Sequence, residues 1–185
     1  MRSARIVIVG MTAAAILALA VVAVAQRTSL AFTLGVAPAA AVARLGPGEQ
    51  ACQRPIDVPA GAAFDRVALG VGTSGRPGPP LRLTVRAATG GGVLASGALA
   101  GGYADVARRP VARVRLDRTV DASQRVTVCV ENRGPGRVGV YGDVDLAART
   151  STAVKDGRPL RRDLSLVFER APRSVASEVP AMLER

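Results

Sequence analysis

From Ile6 to Ala25 the chain runs twenty residues without a charge. As a helix rising about 1.5 Å per residue, such a segment is roughly 30 Å long, the thickness of a bilayer's hydrocarbon core. A buried helix of a soluble domain would show a polar face, and no polar face breaks this run. Arg2 and Arg5 precede it, and after Arg27 no basic residue follows until Arg44. The positive-inside bias therefore predicts a single-pass membrane protein with a cytoplasmic N-terminus and an extracytoplasmic C-terminal portion.

Ala23-Val24-Ala25 before Gln26 also satisfies the small-x-small pattern of a signal-peptidase site, with Arg2 and Arg5 as its charged n-region. A secreted product beginning at Gln26 is thus the alternative. Length favours retention: the uncharged stretch from Ile6 to Val22 already exceeds the roughly 7–15 residues of a signal h-region. The expected organisation is a cytoplasmic end and anchor over residues 1–27, an exported domain over 28–170 and a tail over 171–185. An exported part of that length can bury close to 70% of its unfolded surface in one core.

The chain has 25 basic and 14 acidic residues, and Lys155 is its only lysine. A GC-rich coding sequence produces such an arginine bias by itself. Its physical consequence is the same whatever its origin: a cationic surface beside a membrane attracts anionic lipid headgroups, acidic polysaccharide or teichoic-type polymers. Nucleic acid is a poor candidate partner. Export places the domain in the wrong compartment, and three Phe and two Tyr with no Trp give few stacking platforms.

Cys52 and Cys129 both follow the apolar run. In an oxidising compartment an even pair reads as one disulfide, although two separate buried thiols would satisfy the count. The absence of histidine removes Ser-His-Asp and Cys-His catalysis, imidazole bases and His-ligated metals. Asp143-Val144-Asp145 has the spacing of an Asp-x-Asp motif, and Asp121 adds a further carboxylate. A solvated edge or turn is the default reading, because a hard cation needs six or more oxygens and no loop here offers a recognisable set. No catalytic residue, metal or cofactor is expected.

Several segments alternate at the period of a strand. Leu30 to Val36 places Leu30, Phe32, Leu34 and Val36 on one face; Ala37 to Gly48 is a loose Ala/Pro/Gly stretch, a linker or extended crossing. Ala51 to Val58 carries Cys52 but also Pro55, which restricts it to an edge or the margin of a sheet. Phe64 to Val71 follows, then a Gly/Pro loop from Gly72 to Pro80. Leu81 to Ala87 alternates Leu81, Leu83 and Val85 with Arg82, Thr84 and Arg86, and turns through Thr89-Gly90-Gly91-Gly92 into Val93-Leu94-Ala95-Ser96. Val111 to Leu116 alternates again, with a turn from Asp117 to Ser123. Arg125 to Glu131 sets Val126, Val128 and Val130 on one face and Cys129 on the other, so a bridged Cys129 points away from the main apolar row. Asn132-Arg133-Gly134-Pro135-Gly136 is a turn leading to Arg137-Val138-Gly139-Val140-Tyr141, and Leu164 to Phe168 is the last candidate.

Short strands separated by Gly/Pro/Asp turns, with no convincing helix among them, predict an all-β, two-sheet antiparallel β-sandwich. From Ser174, the positions Val175, Val179, Met182 and Leu183 fall at helical spacing. This reads as a short C-terminal helix, or as the approach to a further element of a longer protein.

The run Leu81-Arg82-Leu83-Thr84-Val85, its Gly-rich turn into Val93-Leu94-Ala95-Ser96, and Val126-Thr127-Val128-Cys129-Val130-Glu131-Asn132 resemble the jelly-roll, galactose-binding-like sandwiches of bacterial envelope proteins. The resemblance spans roughly Phe64 to Tyr141. It implies a binding or structural module beside carbohydrate-handling machinery and transfers no individual site residue. The chain lacks the Trp that carbohydrate-binding members use for sugar stacking.

Two arginine groups are candidate anion-binding surfaces: Arg108, Arg109, Arg113, Arg115 and Arg118 around one strand, and Arg158, Arg161 and Arg162 beyond it. A solvated strand face is the default for both. Tyr103 and Tyr141 each sit beside a glycine, where a ring either meets a ligand at the rim or packs into the core with its hydroxyl outward. The resulting expectation is a non-catalytic, membrane-anchored envelope protein that contacts an anionic polymer or a membrane partner. The exported N-terminal portion of a larger multi-spanning enzyme or transporter, and a secreted carbohydrate-binding module, are the alternatives.

Overall fold

The computed structural model describes residues 11–12, 15–19, 21–22, 25, 27–104, 112–143 and 152–174. Those described within the first 25 are helical, and Met11, Ile16, Leu17, Leu19, Val21 and Val22 are exposed. Among the described residues no helix is long and apolar enough to cross a membrane. The chain divides into two compact units, Leu30–Arg170 and a smaller one formed by Met1–Ser29 with Ala171–Arg185. The site built up below belongs wholly to Leu30–Arg170.

Fourteen strands follow in chain order among the described residues: β1 (Arg27–Thr33), β2 (Ala40–Leu45), β3 (Gln50–Asp57), β4 (Phe64–Leu69), β5 (Val71–Gly72), β6 (Leu81–Ala87) and β7 (Val93–Leu99), then β8 (Ala112–Val120), β9 (Arg125–Asn132), β10 (Val138–Asp143), β11 (Thr152–Lys155), β12 (Arg158–Pro159), β13 (Asp163–Leu164) and β14 (Leu166–Ser174). A curled sheet of ten takes the order β1-β14-β4-β8-β7-β6-β9-β3-β11-β12, and a second sheet takes the order β13-β10-β2, with β5 also paired to β10. The fold is all-β, mostly antiparallel and sandwich-like.

Alternation explains which side of each strand is covered. On β6, Leu81, Leu83 and Val85 are buried while Arg82 and Arg86 are exposed; on β9, Val126, Val128 and Val130 go inward. Leu45, Val138, Val140 and Leu164 from the smaller sheet meet these rows from the other side, so the core lies between the sheets. All three phenylalanines gather at one end of the larger sheet. Phe32 stacks on Phe168 with ring centroids 4.2 Å apart, and Phe64 meets Phe168 edge-to-face at 4.8 Å. Such pairs add about 0.5–1.5 kcal/mol beyond the area they bury.

Cys52 stands opposite Cys129 in the β3–β9 register, and the two form a disulfide with Cα atoms 4.0 Å apart. They pack with Val154 in a cluster separate from the main core, on the side away from Val126, Val128 and Val130. The orientation expected from alternation is the one observed.

Other expectations are corrected. The segment expected to be a linker or an extended crossing contains β2, which places Ala43 and Leu45 in the core; alanine gives alternation too little contrast to show in sequence. Of the edge or margin expected for it, β3 is not the edge, since β9 and β11 flank it, but it lies third from one end of the larger sheet. Pro55 is accommodated because the β9 register shifts between Gln53 and Ile56, and among the described residues the β11 pairing reaches only to Arg54. A bulge residue needs no ladder donor, so proline costs nothing there. β8 continues to Val120 through a register shift against β4, where a turn is expected from Asp117. β14 extends to Ser174, so strand replaces the first residues of the expected tail; its helical pattern from Val175 on lies outside the described residues.

Two buried amides lock the arrangement. Gln53 Nε2 donates to Asp163 Oδ1 at 2.7 Å, and its Oε1 accepts from the Leu164 N–H at 2.9 Å, tying β3 to β13 across the sheets. Asn132 donates to the carbonyls of Leu45 and Gly136 and accepts from the Gly134 N–H, closing the turn before β10.

Candidate functional site

Of the arginines grouped around β8, Arg108 and Arg109 lie outside the described residues. Arg113 and Arg115 share the outer face of the larger sheet, and Arg115 stands opposite Arg66 of β4. Glu169 on β14 takes two hydrogen bonds from Arg113 Nε, each 3.1 Å. Arg118 falls in the β8 register shift, off that row. Arg158, Arg161 and Arg162 are exposed on β12 and the loop after it. Asp143 closes β10 opposite Asp163, Asp121 is exposed in the turn after β8, and Asp145 lies outside the described residues. Among the described residues, no three His, Cys, Asp or Glu side chains come close enough to hold a metal ion.

The smaller sheet builds a different site. Gly139 of β10 pairs with Arg44 of β2 on one side and with Gly72 of β5 on the other, which makes one row across three strands. Arg137 and Tyr141 flank Gly139 at alternate positions of the same face. A glycine inside a strand often marks a close approach, and here the approaching group is Tyr141. A Cβ added to Gly72 would lie 3.0 Å from Tyr141 Oη and 3.2 Å from Cζ, and one added to Gly139 would lie 3.9 Å from Cε2. The ring therefore lies back over the two glycines. With Ala41, Ser74 and Val138 these residues line a groove of about 250 Å³.

Arg44 and Arg137 also line an adjoining depression of about 410 Å³ with Gly46, Pro47, Glu49 and Lys155. Its one carboxylate is engaged. Glu49 Oε2 accepts from Lys155 Nζ at 2.7 Å and from the Gly46 N–H at 2.6 Å. The Lys155 hydrogen bond, then the Gly46 N–H, hold the Glu49 carboxyl below its ordinary range, and the Arg137 charge adds to them. Ion pairs elsewhere take up Arg66, Arg113, Arg125 and Arg133, but neither Arg44 nor Arg137 enters one among the described residues. Two exposed guanidinium forks are thus presented in a groove where two glycines make room for the Tyr141 ring, with hydroxyls from Tyr141 and Ser74. Such forks match the oxygens of carboxylates and phosphates.

Tyr141 is half-buried and lines the groove. The ring of Tyr103 covers Gly78, and its hydroxyl is buried with no hydrogen-bond partner among the described residues. Burial pushes that hydroxyl up to about 12. Sequence reasoning missed Arg44, which sits in the alanine-rich segment, and Arg137, which adjoins a turn. The available signals were the single glycines Gly72 and Gly139 beside strand patterns. The chain matches no protein-family model, and no curated protein matches it in sequence.

Proposed function

We propose that this protein is a non-catalytic, membrane-anchored module of the cell envelope that binds an anionic envelope polymer through the Arg44–Arg137 groove. The observation that carries this reading is the groove itself: Arg44 and Arg137, which enter no ion pair among the described residues, both line it, over a floor where two glycines make room for the Tyr141 ring. The uncharged run from Ile6 to Ala25, flanked by Arg2 and Arg5, supports an anchor with the N-terminus in the cytoplasm and the sandwich outside. The Cys52–Cys129 disulfide accords with an oxidising compartment. In this reading the sandwich is of the jelly-roll, galactose-binding-like kind, with charge in place of aromatic stacking as its means of recognition.

Full-length protein in neutral phosphatidylcholine nanodiscs tests it by titration with two soluble polyanions, a glycerol-phosphate polymer and polygalacturonate. At least one should bind, more weakly as salt rises, and Arg44→Gln with Arg137→Gln should weaken it by about tenfold or more. Equal binding by wild type and the double variant, or no binding to either polymer, would remove the reading.

A further inference from the structure

We infer that the groove is specific for a phosphodiester within a hydroxyl-bearing chain, of the glycerol-phosphate type; this rests on the proposed anion-binding role and narrows it. Several separate observations lead to that chemistry. Arg44 and Arg137 line both depressions, so a ligand in the groove borders both side chains. A carboxylate has two oxygens in one plane, and one guanidinium approaching in that plane engages both, leaving only their outer lone pairs for a second. A phosphodiester has two unesterified oxygens directed tetrahedrally, and each accepts from its own guanidinium. Two arginines bordering one ligand therefore suit the tetrahedral anion better.

The rest of the groove suits what lies on either side of that anion. The Gly139–Gly72 pair lets the Tyr141 ring lie down against the strands, so that ring floors the groove and the space above it admits a narrow, flexible chain. Tyr141 and Ser74 supply hydroxyls that both donate to and accept from a polyol. No Trp is present to stack on a sugar ring. In the adjoining depression the Lys155 charge is taken up by Glu49, so its remaining cations are the same Arg44 and Arg137, and a second anion close to the first finds no further one among the described lining residues. This matches a chain whose charges are separated by neutral units, and it disfavours one charged at every unit.

The same headgroup chemistry occurs in a soluble polymer and in phosphatidylglycerol, so the test has an arm for each. Full-length protein in phosphatidylcholine nanodiscs is titrated calorimetrically with glycerophosphoglycerol and, separately, with digalacturonate at equal ionic strength. Nanodiscs and vesicles with and without phosphatidylglycerol form the lipid arm. The expected result is glycerophosphoglycerol binding that is at least about tenfold tighter than digalacturonate binding. Arg44→Gln or Arg137→Gln should each weaken it about tenfold, Tyr141→Phe several-fold, and Arg86→Gln on the far sheet not at all. Competition by phosphatidylglycerol vesicles assigns the lipid source, and its absence assigns the polymer.

Digalacturonate binding as tightly, with the same loss in the arginine variants, would overturn the phosphodiester inference and leave the anion-binding role standing. Failure of both compounds together with both polyanions would overturn the role as well. Near-ultraviolet circular dichroism and thermal melting of each variant separate a lost contact from a lost fold.

Discussion

Gly139 faces Gly72 across the β10–β5 ladder, and the ring of Tyr141 lies over the pair. The consequence is a dependence of the groove on the absence of two side chains. Gly72→Val would displace the ring and fill the floor. Polyanion binding should fall by about tenfold or more, while urea denaturation records a loss of only about 1–3 kcal/mol, the usual cost of overpacking. A variant that keeps its affinity would place the ligand elsewhere.

Gln53 is a polar link between the sheets, bonded to Asp163 and to the Leu164 N–H. Gln53→Ala removes both bonds, withdrawing a donor from a carboxylate that is 2% exposed and the acceptor from a buried N–H. The expected loss is about 2–4 kcal/mol in urea denaturation, more than deletion of a methylene-sized volume gives. Gln53→Leu, similar in volume, should not restore it. Rescue by leucine would show that packing, and not the polar link, is what β13 needs.

The sequence announces β6, β8 and β9 because leucine and valine alternate there with arginine, threonine and glutamate. β2 is hidden by its alanines, and β12 and β13 are two residues each, too short for a period to form. Pro55 argues correctly against a regular ladder yet sits in a strand paired on both sides, since a bulge meets the same constraint. The groove was less legible still. Arg44, Gly72 and Gly139 lie in three separate segments and become neighbours only when β2, β10 and β5 pair, and no local pattern encodes that row.

The Cys52–Cys129 bond closes a sequence separation of 77 residues. On the chain-entropy account it stabilises the fold by about 4 kcal/mol. Cys52→Ala with Cys129→Ala should show that loss in urea, and reductant should lower wild type toward the double variant without affecting the variant itself. A double variant as stable as wild type would mean that Val154 and the ladder suffice.

Asp117 accepts from the Ser96 N–H at 2.8 Å and from its hydroxyl at 2.9 Å, joining β7 to β8. The N–H bond, then the hydroxyl bond, hold its carboxyl below the ordinary value. A depressed folded value contributes stability above the unfolded value, and that stability is lost as pH falls through the folded one. Asp117→Asn should therefore be less stable than wild type at neutral pH, and the difference should close in strong acid. A difference that persists there would assign it to packing.

Tyr103 runs in the opposite sense. Its hydroxyl is pushed by burial from 10.0 to about 12, so stability is fully present below 10.0 and declines as pH rises through about 12. In a Tyr141→Phe background Tyr103 is the one tyrosine left, and its tyrosinate absorbance should appear late, together with unfolding. Tyr103→Phe should remove this alkaline sensitivity and be no less stable near neutrality, because it deletes a buried hydroxyl with no partner among the described residues.

The aromatic trio at the margin of the larger sheet also has a mechanical meaning. A pull along the polypeptide from its N-terminal side arrives first at β1, an outermost strand held by β14 and by the stack of Phe32 on Phe168. β1 takes that load first, and once it has peeled the next strand along the chain is β2, which carries Arg44. The stack of Phe32 on Phe168 therefore stands between a pull at that end and the strand that brings Arg44 to the groove.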